Sequence, residues 1–306
     1  MRCSIGVAAI AVLVLAASAL TLVAAGASAY VFLGPMSSQL FDPAVLPPGA
    51  DVAMWRATGL ASAATLAAFG SVGVTTGVGL FRLWRWARYS MIAFGAFVTV
   101  MCLLTAFLAL VVPLPAGPVP SRAALVIFAL FYVAMALVGV ALVFFFTRPA
   151  VTEQFGGSVD RWHPARPVAI TVIAWLLVAS GAMMLPSVAM LNLPATVVGV
   201  IIHGLWARLY YAAYMAAYLW IGSGLLRRWR DFVTPAIVLH AFAVLNAVVL
   251  LVPRVWDRYI AALTAMSPLV ASQPLSAGAH WFTGGVGVAL PLAALYFLVT
   301  SRDEPV

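Results

Sequence analysis

Charged positions in this chain come in short clusters, and long apolar runs separate them. No Asp, Glu, Lys or Arg occurs within 3–41, 57–81, 89–121, 123–147, 167–207, 232–253 or 259–301. A helix needs roughly 20 apolar residues to cross a hydrocarbon core, and each run reaches that length or nearly doubles it. In lipid every backbone N–H and C=O must be paired within its own segment, so each run is expected to be a helix. The ten-residue alternation of a transmembrane β-strand is missing. The pattern predicts an all-α polytopic bundle of about eight transmembrane spans: 5–33, 55–80, 89–112, 123–147, 167–185, 197–226, 232–252 and 281–300.

The connections carry helix breakers. Gly34-Pro35, Asp42-Pro43 and Pro47-Pro48-Gly49 punctuate the first loop. Pro113, Pro115, Pro118 and Pro120 forbid a helix between spans 3 and 4. Pro186 and Pro194 bracket a short loop before span 6, and 253–280 reads as a longer loop with Pro268 and Pro274. Residues 148–166 are the most polar stretch and read as a cytoplasmic linker between halves, 1–147 and 167–306. Arg2, the apolar stretch and Ala27-Ser28-Ala29 also fit a signal peptide with an A-x-A cleavage site. The run continues through Val31-Phe32-Leu33, longer than a usual h-region, which favours a retained helix.

Basic residues set the expected orientation. With the N-terminus inside, eleven arginines fall in inner segments and Arg56, Arg122, Arg254 and Arg258 fall outside. The positive-inside rule therefore places both termini in the cytoplasm of a bacterial inner membrane. This distribution also accounts for the net charge of +8 without nucleic acid. The expected partners are membrane lipid and other membrane proteins.

The segment Gly77-Val78-Gly79-Leu80-Phe81-Arg82-Leu83-Trp84-Arg85 aligns with Gly222-Ser223-Gly224-Leu225-Leu226-Arg227-Arg228-Trp229-Arg230, six of nine positions matching at an offset of 145 residues. Gly59-Leu60 and Gly204-Leu205 match at the same offset. Both segments end an even-numbered span, which suggests a parallel 4+4 internal repeat about an axis along the membrane normal. Glycine, leucine and a basic-aromatic terminus also suit any inner helix end, which is the competing explanation. The two segments resemble a pattern of uncharacterised bacterial polytopic membrane proteins, a G-x-G-L helix end followed by R-x-W-x-R. Here it is Gly79-Leu80 with Arg82, Trp84 and Trp86-Ala87-Arg88; the second copy departs from the first at Asp231-Phe232. The resemblance implies no activity.

Composition narrows the chemistry. Hydrophobic residues make up 65% and charged residues 8% of the 306 positions, where a soluble domain has about a quarter charged. All sixteen basic residues are Arg, so no lysine is present for Schiff-base chemistry. Cys3 and Cys102 form neither a disulfide framework nor a metal-ligand spacing. All eight carboxylates fall in loops, at helix ends or in the tail. That lowers the expectation of ion-coupled transport, which places such groups in the membrane. Walker A, G-x-S-x-G, C-x-x-C and dinucleotide fingerprints are missing, so no enzyme, cofactor or metal is expected.

Span 6 carries the candidate groove. Tyr211, Tyr214 and Tyr218 fall on one helical stripe, with Arg208 within reach of outer headgroups. His240 lies near mid-bilayer, with Asn246 about two turns further on. An aromatic-lined groove for a lipid-like or small apolar ligand is one reading of these residues, and interhelical packing is the other. The functional expectation is a carrier or binder of such a ligand. A membrane-embedded subunit of a larger complex is the alternative, and a redox enzyme using His203, His240 or His280 a third reading.

Overall fold

The computed structural model describes residues 3–34, 52–111, 122–155, 167–190, 193–266 and 277–301. The Pro-rich segments of the first and third loops, the proline-flanked end of the second long loop and most of the linker, with His163, lie outside them. Ten helices and one hairpin are described: α1 Ile5–Leu33, α2 Val52–Phe81, α3 Arg85–Val111, α4 Arg122–Thr147, α5 Pro149–Gln154, α6 Val168–Met183, α7 Leu185–Ala189, β1 Ala195–Val197, β2 Val200–Ile202, α8 Gly204–Leu250, α9 Pro253–Met266 and α10 Ala277–Thr300. Apart from that hairpin, the regular structure of the described residues is all α-helix. Among the described residues, six helices, not eight, are each long and apolar enough to cross a membrane.

The difference lies in α8. Its 47 residues hold both the sixth and the seventh expected spans, and the backbone leaves helical geometry at Arg228 (φ −137°, ψ 63°). The bend is a reversal. Tyr214 and Phe242 would stand roughly 42 Å apart on a straight helix, yet their ring centroids are 6.0 Å apart. Nearer the bend, the Trp220 and Phe232 rings meet at 5.1 Å. The two arms therefore pack antiparallel with no connecting loop.

A second reversal joins α2 to α3. Leu83 adopts φ 54°, the left-handed region. Its N–H donates to the Leu80 carbonyl at 3.1 Å, and the Trp84 N–H donates to Gly79 at 2.8 Å. This is the hydrogen-bond pattern of a Schellman cap, with leucine where glycine is usual. Left-handed backbone costs a non-glycine residue about 1–2 kcal/mol. The Leu83 side chain is buried in the core beside Val7, Leu80 and Phe146, which offsets that cost.

Three expectations are corrected here. The sixth span does not begin at Val197: residues 195–202 form the antiparallel hairpin, pairing Ala195 with Ile202 and Val197 with Val200. Val198 (φ 48°) and Gly199 (φ 83°) make its two-residue turn, the handedness a tight hairpin requires. The region after 252 is not wholly a loop, since α9 occupies 253–266. The linker opens with the one-and-a-half-turn helix α5.

Helices pair closely where glycine faces a neighbour. A Cβ on Gly95 would lie 2.7 Å from the Gly139 carbonyl oxygen, so α3 and α4 cross backbone to backbone. Likewise Gly77 of α2 sits on Leu15 and Ala11 of α1, and Gly222 of α8 on Ala174 and Val178 of α6. Close backbone packing of this kind is how helices associate where no hydrophobic drive acts between them. Two apolar cores result. One gathers Val7, Ala11, Leu80, Met91 and Phe146. The other gathers Ile170, Ala174, Leu225, Trp229 and Leu298.

A candidate ligand chamber between the helices

The tyrosine stripe is present and largely consumed in packing. Tyr214 and Tyr218 rest against the core formed by α6 and α8, with ring centroids 5.0 Å apart. Tyr210 stacks on Tyr214 at 5.4 Å. The Tyr211 hydroxyl donates to the Pro194 carbonyl at 2.8 Å and so ties α8 to the start of the hairpin. Arg208 lies on an exposed part of the same turn. The structure therefore brings the three tyrosines together and leaves Arg208 outside their packed face.

The other polar candidates hold backbone. His240 Nδ1 donates to the Ala236 carbonyl at 2.8 Å, one turn back on its own helix. Asn246 Oδ1 accepts the N–H of Val198 at the hairpin turn. His280 is buried; its Nε2 donates to the Leu250 carbonyl at 3.1 Å, and its ring stacks on Trp256 at 4.6 Å. His203 is exposed at the start of α8. Among the described residues, no group of three His, Cys, Asp or Glu side chains is placed to hold a metal.

A chamber of about 240 Å³ is walled by α1, α2, α3 and α6. Its wall includes the small residues Ala17 and Ser18 of α1 and Gly73 of α2, together with Trp175 of α6. Val72 and Phe94 flank the chamber and are themselves exposed, so its mouth faces sideways, where lipid would lie. Thr65 of α2, whose hydroxyl reaches the Ala182 carbonyl at 3.4 Å, and the Trp86–Trp175 ring pair at 6.4 Å join α6 to the first four helices around this space.

The polar groups of the chamber are few, uncharged and directional. The Ser18 hydroxyl donates to Val14 at 2.6 Å and that of Thr21 to Ala17 at 2.9 Å. Ser90 donates to Ala87 at 3.0 Å. The proton between Ser90 and Thr76, 3.2 Å apart, then belongs to Thr76. Each hydroxyl has one proton to give, so none of the four has one left for a further acceptor. Trp175 Nε1 is a buried N–H with no partner among the described residues. An unsatisfied buried donor costs about 1–3 kcal/mol.

The chamber is not legible in the sequence. Its polar residues sit on four different helices, and the one available signal was a tryptophan, Trp175, in the middle of an apolar run rather than at its end, where the interface would favour it.

No family model, curated protein or solved structure matches this chain.

Proposed function

We propose that the chain is an eight-span inner-membrane protein built of two like-oriented four-helix halves, with both termini cytoplasmic. Its function in this reading is to bind or carry a small apolar ligand in the chamber between α1, α2, α3 and α6. The chamber itself, apolar but for a few uncharged hydroxyl residues in its wall, carries the reading. Ligand sites are commonly apolar hollows with one or two placed polar groups.

Eight spans follow from counting the arms of α8 separately and adding α10, whose 24 residues include Pro291. Several correspondences support the repeat. Arg228, where α8 reverses, is the position that aligns with Leu83, where α2 reverses into α3. Gly224 packs against the Phe232 ring, and the aligned Gly79 packs against Ala87, the residue aligned with Phe232. Ser4 and Pro167 cap α1 and α6. Counted from these caps, Ala11 and Leu15 correspond to Ala174 and Val178, the residues that receive Gly77 and Gly222 respectively.

Photo-crosslinking tests the ligand. A benzophenone amino acid replacing Phe94, in native membranes, is expected to capture a small molecule or lipid. The same group replacing Tyr214 is expected to capture only the protein itself. Capture of protein alone at both positions would overturn the reading.

A further inference from the structure

The arginines at the two reversals of this bundle lie on the surface, with one exception. Arg82 and Arg85 are exposed at the turn from α2 into α3, and Arg227, Arg228 and Arg230 are exposed at the bend of α8. Arg88, three residues further into α3, is 9% exposed. Three residues advance a helix by about 4.5 Å, and a long basic side chain this close to a span end normally reaches out to the headgroups. Here the protein itself covers it.

The covered charge has no counterion among the described residues. Its Nε is sealed from solvent and has no hydrogen-bond partner. The two terminal nitrogens are likewise without an acceptor among the described residues, but they are not sealed, so an oxyanion can reach them. The charged side chain near enough to act on Arg88 is another arginine, Arg85, whose Nε donates to the Phe155 carbonyl at 3.3 Å. The Tyr89 ring, 4.8 Å from the guanidinium carbon, gives partial compensation. Glu153, the described carboxylate on neighbouring α5, is exposed and forms no ion pair with Arg88. Burying a charge without a partner is costly, and the fold does not need one at this place. In the proposed repeat Arg88 corresponds to Val233, which is 2% exposed and belongs to the second apolar core.

We propose that Arg88 is the centre of a phosphate-binding site at the α2–α3 reversal. The phosphate is carried by an anionic phospholipid or is free in solution. Arginine presents a planar fork of donors that matches phosphate oxygens. Arg85 adds a second positive charge, and α3 begins at Arg85, so the positive end of its dipole lies at the same place. In the proposed orientation this turn stands at the level of the cytoplasmic headgroups, where anionic lipid is found. The site is separate from the chamber. Ser90 and Phe94 of α3 line the chamber, whereas Arg88 shares a helix face with Gly95, seven residues on, which meets α4. It therefore stands or falls independently of any ligand there.

The test follows the thermal unfolding midpoint of the full chain in dodecyl maltoside as dioleoylphosphatidylglycerol, dioleoylphosphatidylcholine or inorganic phosphate is added. A phosphate-bearing anion is expected to raise the midpoint saturably, and the zwitterionic lipid to act at least tenfold more weakly. Arg88→Val installs the residue of the second half and should weaken the anion at least tenfold, the loss of a charge-assisted hydrogen bond. Arg88→Met, which keeps the apolar stem, serves if the valine variant does not fold. Arg227→Ala removes an exposed arginine from the equivalent end of the second half and should change the anion's apparent affinity less than twofold. A response to phosphatidylglycerol alone points to the lipid headgroup; a response to inorganic phosphate, with or without the lipid, points to a soluble phosphate. The site would be overturned by no saturable response to either anion. It would equally be overturned by a response that the Arg88 variants retain, or that Arg227→Ala weakens as much as they do.

Discussion

Val198 and Asn246 are 48 residues apart in sequence, yet the backbone N–H of one donates to the side-chain oxygen of the other at 2.8 Å. The bond fastens a β-turn to the C-terminal end of the second arm of α8. Valine at positive φ is strained, and this bond helps hold it there. Asn246→Leu leaves the Val198 N–H without its acceptor. The expected result is faster hydrogen exchange across 195–202 and a loss of about 1–3 kcal/mol in unfolding by denaturing detergent. Unchanged exchange at Val198 would show the bond to be idle.

The glycines at helix crossings separate into those that must be glycine and those that need not. A Cβ at Gly224 would collide with the Phe232 ring, whereas one at Gly285 meets nothing within 4 Å. Gly224→Val is expected to destabilise by about 1–3 kcal/mol through overpacking, and Gly285→Val by much less. The midpoint of detergent-induced unfolding measures both.

Cys3 gives a pH-dependent report on topology. Burial pushes its thiol above the ordinary value. Maleimide attacks the thiolate, so labelling should be slow near neutral pH and rise as pH climbs through the raised pKa. In the proposed orientation a membrane-impermeant maleimide labels Cys3 only after permeabilisation. Labelling in intact cells would invert the topology.

The first helix should remain attached in the mature protein. Gly70 of α2 rests on Leu22 and Gly77 on Leu15, so cleavage after Ala29 would strip α2 of its closest neighbour. The intact mass of the purified protein is expected to include α1. A chain beginning at Tyr30 would contradict this.

Much of the architecture was legible in the pattern of charges and apolar runs, because lipid imposes one backbone solution on any long apolar segment. The reversals at 82–85 and 227–230 were located by their arginines. Other features were hidden for identifiable reasons. Ala195-Thr196-Val197 and Val200-Ile201-Ile202 are apolar enough to pass for a span, although their β-branched residues around Gly199 match a hairpin. The bend at Arg228 was read as a boundary between spans, where the chain simply reverses within one turn. In α9, Arg254, Asp257 and Arg258 recur at helical spacing, but their charge suggested a loop. For the candidate site, the tyrosine stripe was recognised and its spacing was right. Periodicity reports which residues share a face, however, and not whether a partner helix already occupies that face. The chamber depends on Gly73, Ser18, Ser90 and Trp175 meeting across four helices, and one-dimensional spacing carries no record of such a meeting.

The absence of a connector at Arg228 bears on how the protein is made. Loop-closure entropy rises with the length of chain that must be tied back, and here that length is a single residue. The two arms of α8 are consequently born as neighbours and need no search through the bilayer to find each other, so this pair can act as the template on which later-synthesised α10 and already inserted α6 dock.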